Sequence, residues 1–238
     1  MAKRQDDYYD DEAAVYSQKR YPTRLENYVQ FLFTRRRDIV LALIGRVTGA
    51  TAAPRSLFEM GCADGVLLRA IDARYPGAFS DMLGSDVSGP MLEEGRRLTQ
   101  NPSIRYALRG ELAPAGSFTC AMEVGVGAIV LDTPGELALL SGQLMPGGYL
   151  ICSIAGRDSI AARWGSTAAD RALLKPYREY EKEMKKLFTI ESASSCGTHI
   201  PLLWRAPFAG RALQPLFEAV GILFPELAHE RVYLLKKK

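Results

Sequence analysis

The stretch FEMGCADG, Phe58–Gly65, ends an apolar run and opens onto glycines, with a carboxylate at Glu59 two residues before the first of them. An apolar strand, a glycine turn and then helical spacing mark the kind of junction at which α/β folds receive ligands. A dinucleotide site would need glycines as GxGxxG, so that the backbone can approach a pyrophosphate at the helix N-terminus. With Gly61 as the first glycine, Ala63 takes the second position and Val66 the third, so two of the three fail. A carboxylate beside a diphosphate would also cost about 4 kcal/mol for unit charges about 4 Å apart at an effective dielectric of about 20. The turn suits a ligand with positive charge and no phosphate.

Outward from this turn the chain alternates between two periods. SLFEM reads as a first strand, and GVLLRAIDARYPG as a helix with Asp64 near its start and Pro76-Gly77 closing it. DMLGSDV follows as a strand, then SGPMLEEGRRL as a helix with Ser88 as N-cap and Pro90 in its first turn, then SIRYALRG as a third strand. SFTCAMEVG reads as a fourth strand, DTPGELALLSGQLM as a helix capped by Asp132 or Thr133, PGG as a turn and YLICSIAG as a fifth strand. Strands alternating with helices imply a parallel sheet covered on both faces.

The flanks are less regular. From Thr23 to Val47 apolar residues fall on a helical stripe interrupted at Arg35, Arg36 and Arg37, so residues 1–50 read as an N-terminal helical cap. Residues 51–156 form the ligand-binding half of the domain. Residues 157–207 read as an insertion after strand five, a basic helical run leading into the loop ESASSCGTHIPLLWRAPF. Its Trp164, Tyr177, Tyr180 and Trp204 are expected to form a lid over the substrate. Residues 208–238 return to the domain as a helix, a sixth strand over ILFPELAHE and a closing strand RVYLLKK, with Pro225 marking an edge or bulge.

Composition sets the class. The chain has 238 residues, 47% hydrophobic and 24% charged, enough for one substantial core. A net charge of +3, scattered except for Arg35–Arg37 and the terminal lysines, is too mild to argue for nucleic acid. The four cysteines are far apart with no CxxC pair, which speaks against a zinc ribbon or a secreted disulfide framework and for a reducing, cytoplasmic setting. The opening MAKRQDDYYDDE is acidic and does not read as a secretory signal, and arginines split the one early apolar stretch, so no membrane span is expected.

S-adenosylmethionine meets the demand of the turn: it carries an α-ammonium, a sulfonium and an adenosine. At this point the chain resembles the class I S-adenosylmethionine-dependent methyltransferases, over about Ser56 to Ile154. EMGCADG matches that family's acid-x-Gly-x-Gly-x-Gly turn with Ala63 for the middle glycine; GSDVSGPML, RGEL and LMPGGYLICS follow in the family's order. The resemblance implies a Rossmann-like α/β fold, a seven-stranded mostly parallel sheet with helices on both faces. It also implies cofactor contacts: Glu59, Gly61, Cys62, Ala63 and Gly65 in the turn, Asp86 on the ribose hydroxyls, and Val87 and Met91 flanking the adenine. Glu111 and Leu112 would stand where the adenine amino group is received, Glu123 and Val124 near the methionine moiety, and Tyr16 or Tyr21 at its carboxylate end.

Methyl transfer from a sulfonium is an in-line displacement, so alignment and exclusion of water matter most and no metal is required. A hydroxyl acceptor must also lose a proton. Of the two histidines, His199 lies in the insertion loop and is the candidate base, whereas His229 lies near the last strands. No (D/N)PPY-like segment follows AMEVG, which points away from nucleic-acid bases and toward an oxygen on a small molecule, lipid head or sugar. Two other readings stand beside this one. The fold could serve as a catalytically silent module that binds a partner protein, and a nicotinamide-dependent reductase is opposed by the missing glycines.

Overall fold

The computed structural model describes residues 5–24, 27–111, 114–126, 133–165, 174–197 and 207–238. Seven strands form one sheet: β1 (Ser56–Met60), β2 (Asp81–Asp86), β3 (Ile104–Leu108), β4 (Phe118–Glu123), β5 (Leu144–Ala155), β6 (Phe188–Ser195) and β7 (Glu230–Lys237). Their spatial order is β3-β2-β1-β4-β5-β7-β6. Only β7 runs antiparallel, pairing with β5 on one side and β6 on the other. The helices are α1 (Gln5–Glu12), α2 (Tyr16–Arg20), α3 (Tyr28–Ala50), α4 (Val66–Arg74), α5 (Gly89–Leu98), α6 (Thr133–Gln143), α7 (Ile160–Gly165), α8 (Tyr177–Leu187) and α9 (Pro207–Leu223).

Side chains alternate across the strands and both faces are dry, as a covered parallel sheet requires. Leu57, Met82, Cys120, Met122 and Ile151 meet Ile39, Val40, Leu43 and Ile44 of α3 and Leu67, Leu68 and Ile71 of α4 on one face. Their neighbours Phe58, Leu83, Ala121, Leu150 and Cys152 meet Leu137 and Leu140 of α6 and Tyr177, Tyr180 and Met184 of α8 on the other. The same alternation carries Glu59 onto the α3–α4 face, just below the glycine turn. Ser88 caps α5 as expected, its hydroxyl accepting from the Met91 N–H at 3.3 Å, with Pro90 in the first turn.

The structure corrects the reading of the chain after β5. Tyr177 and Tyr180, expected in a substrate lid, are fully buried on the sheet face. Together with Met184 they form the apolar stripe of α8, at the i, i+3, i+7 spacing of one helix face. The segment read as the start of a loop is the edge strand β6, and the segment read as a sixth strand is the end of α9 followed by a 3-10 turn at Pro225–Leu227. Trp204 lies outside the described residues, while Trp164 on α7 is 71% exposed. Among the described residues no helix is long and apolar enough to cross a membrane.

If α8 is core and not lid, Met184→Ala lowers stability by about 2–5 kcal/mol through the cavity it leaves. Thermal unfolding should then shift down by several degrees, at about 2–4 °C per kcal/mol for a chain of this size. A surface residue of a lid would change it by no more than about 0.5 kcal/mol.

Candidate active site

Between β1 and α4 the backbone turns sharply, and Gly61 (φ 71°) and Gly65 (φ 74°) both adopt the left-handed region. A Cβ at Gly61 would strike Val126, and one at Gly65 would strike the Tyr106 hydroxyl. Ala63, between them, holds φ 48°, a conformation that costs a side-chain-bearing residue about 1–3 kcal/mol. It is pinned there from outside: the Ala63 N–H donates to Asp86 Oδ2 at 2.8 Å, and the N–H groups of Gly61 and Cys62 donate to the Ser85 carbonyl at 2.7 and 3.1 Å. Asp86 Oδ1 accepts from the Ser88 N–H at 3.0 Å. One carboxylate at the end of β2 thus ties together the turns that follow β1 and β2.

These turns floor a cavity of about 400 Å³ at the carboxyl ends of β1, β2 and β4, where ligands lie in open α/β sheets. Its wall is made by Met60, Gly61, Ala63, Ser85, Asp86, Val87 and Met91, then Arg109, Val124, Gly125 and Val126, and on the far side Tyr9, Tyr16, Arg20, Phe33 and Arg36. The far side belongs to the N-terminal segment. It is fastened by the Ser17 hydroxyl donating to Asp64, by Arg69 donating to Ser17 Oγ at 3.2 Å, and by the Ser88 hydroxyl donating to Asp10.

The structure brings together Gly61, Ala63, Asp86, Val87, Met91, Tyr16 and Val124 of the expected residues in this wall. Glu59, Cys62, Gly65, Tyr21 and Glu123 stand behind it. Glu59 is buried with Oε2 unpartnered; burial, reinforced by Asp86 and Asp64, raises its pKa well above the usual carboxylate range, against Arg69 and Arg36. The Cys62 thiol packs in the core under the turn. Tyr21 sits behind Arg36, which donates to its hydroxyl oxygen, and edge-on to Phe33 with ring centroids 5.8 Å apart. Burial, and then Glu136, pushes the Glu123 carboxyl up to about 8, with Arg109 pulling the other way. Glu111 lies exposed beyond β3, its N–H donating to the Leu108 carbonyl at 2.8 Å, and lines a separate shallow depression with Asp81 and Arg105. Leu112 and His199 lie outside the described residues. Among the described residues no histidine lines the cavity and no metal-binding cluster occurs.

Sequence reasoning missed the cations. Arg20 lies 5.3 Å from the ring centroids of both Tyr16 and Phe33 and pairs with Glu12 at 3.1 Å. The arginine run diverges: Arg35 pairs with Glu218 at 3.1 Å, Arg37 with Asp38 at 3.2 Å, while Arg36 turns inward to both oxygens of Glu230 at 3.2 Å. Successive helical residues point about 100° apart, so the three diverge, and Arg36 is the one that faces the core. Arg109 donates to Glu136 Oε1 at 2.7 Å. Its place just past a strand end was the available signal.

A mostly parallel sheet, a kinked glycine turn carrying an acid and a strand-end aspartate over a ligand-sized cavity form a Rossmann-like arrangement. A methyltransferase domain profile matches residues 28–221, and the chain belongs to that family, whose methyl donor is S-adenosylmethionine. Among curated proteins no sequence matches. Among solved structures, the N-methyltransferase NodS from Bradyrhizobium japonicum WM9, in complex with S-adenosylhomocysteine, matches 98% of this chain and 99% of its own at 13% identity, TM-score 0.63. A putative methyltransferase from Haloferax volcanii, in complex with the Trm112 methyltransferase activator, matches 99% of both chains at 12% identity, TM-score 0.62. Phosphoethanolamine N-methyltransferase 2 from Haemonchus contortus, in complex with S-adenosylmethionine, matches 84% of this chain and 52% of its own at 14% identity, TM-score 0.58. At these identities the likeness is one of fold.

The site generates two expectations. Ala63→Gly relieves the strained φ and should stabilise the protein by about 0.5–1 kcal/mol, less than the full strain because glycine loosens the unfolded chain, read as a rise in unfolding temperature. Glu123 binds its proton more tightly folded than unfolded, so its contribution is whole at low pH and is lost as pH rises from the unfolded carboxylate range, about 4.3, toward its folded value of about 8. Glu123→Gln, which keeps the neutral shape, should therefore match the parent near about pH 4 and unfold at a higher temperature near about pH 8; equal differences at both pH values would contradict this.

Proposed function

We propose that the cavity holds S-adenosylmethionine and that the enzyme methylates a small molecule or sugar-type acceptor. Asp86 carries the reading: it ends β2, lines the cavity and already organises both glycine-bearing turns. In this reading its free lone pairs meet the ribose hydroxyls, Val87 and Met91 bracket the base, and Gly61 and Ala63 let the backbone come close to the donor. The residues present fit such a group. Asp86 lines one part of the wall and Arg20 and Arg36 another, so the wall is polarised as a zwitterionic amino-acid end requires. Glu59, buried behind the turn with Oε2 unpartnered, would face the cationic end, with Tyr16, backed by Tyr21, near the anionic end.

When bound, S-adenosylmethionine supplies an electrophilic methyl on a sulfonium. The chain's part is to align the acceptor and exclude water, and the docked N-terminal segment with Tyr9, Tyr16 and Phe33 supplies the exclusion. An oxygen acceptor is the first reading, with His199 as its base. A nitrogen acceptor is the second: among the described residues the cavity wall offers no histidine or lysine, and NodS and the phosphoethanolamine enzyme are N-methyltransferases by name. The exposed Trp164 of α7, past the end of β5, is the part of the expected lid that still suits an acceptor. We place the enzyme in the cytoplasm, in keeping with four unpaired, buried cysteines.

Calorimetric titration should give an S-adenosylmethionine Kd of about micromolar order, and Asp86→Ala should weaken it about ten- to a hundredfold, the worth of a charged hydrogen bond. With labelled cofactor, hydroxyl and amine panels separate the two acceptor readings. Transfer to hydroxyls that rises through about pH 6.5 and collapses in His199→Ala supports the first. Label incorporation indifferent to Asp86→Ala would count against the site altogether.

A further inference from the structure

Arg109 directly follows β3, and its N–H donates to the Asp86 carbonyl at 3.0 Å, which sets it beside the strand end that carries the aspartate. Arg109 lines the cavity together with Asp86, Val87 and Met91. Glu136, in the first turn of α6 and only 6% exposed, holds it at 2.7 Å. A guanidinium has five N–H donors and no acceptor, so donors remain for a ligand after the ion pair is made. Glu111, the acid expected to receive the adenine amino group, stands outside this wall.

We infer that Arg109 reads the base of the cofactor by donating to N7, on the purine edge that also carries the C6 substituent, in place of a carboxylate that would accept from the exocyclic amino group. The inference rests on the cofactor reading above, in which the ribose meets Asp86 and the base lies toward the end of β3. Adenine presents N1, N3 and N7 as acceptors and an amino donor; hypoxanthine exchanges that donor for a carbonyl acceptor and the N1 acceptor for an N1–H donor. A carboxylate held at the exocyclic group loses a charged hydrogen bond to hypoxanthine and meets a repulsion. A guanidinium on the edge formed by N7 and the C6 substituent loses nothing and gains an acceptor. Glu136 is then a positioning residue, fixing the plane of the fork.

The test titrates the full chain with S-adenosylhomocysteine and S-inosylhomocysteine. The wild type should bind the two within about threefold of each other, and Arg109→Ala should weaken both about ten- to a hundredfold, the inosine compound more. Arg109→Met with Glu136→Gln removes the guanidinium without stranding a buried carboxylate, so the loss should persist in a chain that still unfolds cooperatively. Wild-type binding of the inosine compound about thirtyfold or more weaker would overturn the inference, because that is the signature of a carboxylate reader. So would loss of binding in Asp86→Ala with both Arg109 variants unaffected, which leaves the cofactor reading standing. Indifference of all three variants would instead remove the cofactor reading, and this one with it.

Discussion

The site depends on a single carboxylate used twice. Asp86 receives the N–H of Ala63 on one oxygen and that of Ser88 on the other, so the strained turn after β1 and the capped start of α5 are held by one side chain. Neither turn is stable by itself. An alanine at φ 48° has no local reason to stay there, and a buried N–H must find an acceptor. Parallel pairing of β1 with β2, in register from Ser56 opposite Asp81 to Met60 opposite Ser85, brings the two strand ends level. The chemistry of the cavity floor is thus a consequence of sheet register.

Charge is arranged in two layers around that floor. Below the turn Glu59 and Asp64 are buried beside Asp86, and burial together with mutual repulsion favours the neutral form of Glu59. Opposite, Arg20 and Arg36 are held by Glu12 and Glu230, and Arg109 by Glu136. Each of these cavity-lining arginines is paired with a carboxylate. Such pairs contribute little to stability once desolvation is counted; what they give is fixed direction, since a paired fork cannot swing away from the cavity.

The half of the chain from β1 to β5 was legible because its pattern is local. An apolar strand, a glycine turn and a helix can be read from adjacent residues, and Asp86 announces itself by ending a strand. Beyond β5 the last helix and the closing strand were legible too, but β6 and the burial of α8 were not. β6 is an edge strand, Phe188–Ser195, with one side half exposed, so its Thr, Glu and Ser residues imitate a loop. α8 carries seven charged residues around three buried ones and resembles a surface helix until the sheet beneath it is known. Pro215 is tolerated inside α9 at an exposed position. The cavity cations were hidden for another reason: Arg36 finds its partner Glu230 at a sequence separation of 194, which no local pattern encodes.

The N-terminal segment belongs to the site and not merely to its approach. Its Ser17 and Asp10 bond to Asp64 and Ser88, the residues that open α4 and α5. Those groups are in place only after the two turns have formed, so docking of α1 and α2 reports on the floor beneath them. In return the segment brings Tyr9, Tyr16 and Arg20 to the cavity, and Gln30 of α3 donates to the Lys19 carbonyl at 3.1 Å to close the connection. Assembly of the wall and organisation of the floor are therefore coupled through a few hydrogen bonds to serine and aspartate.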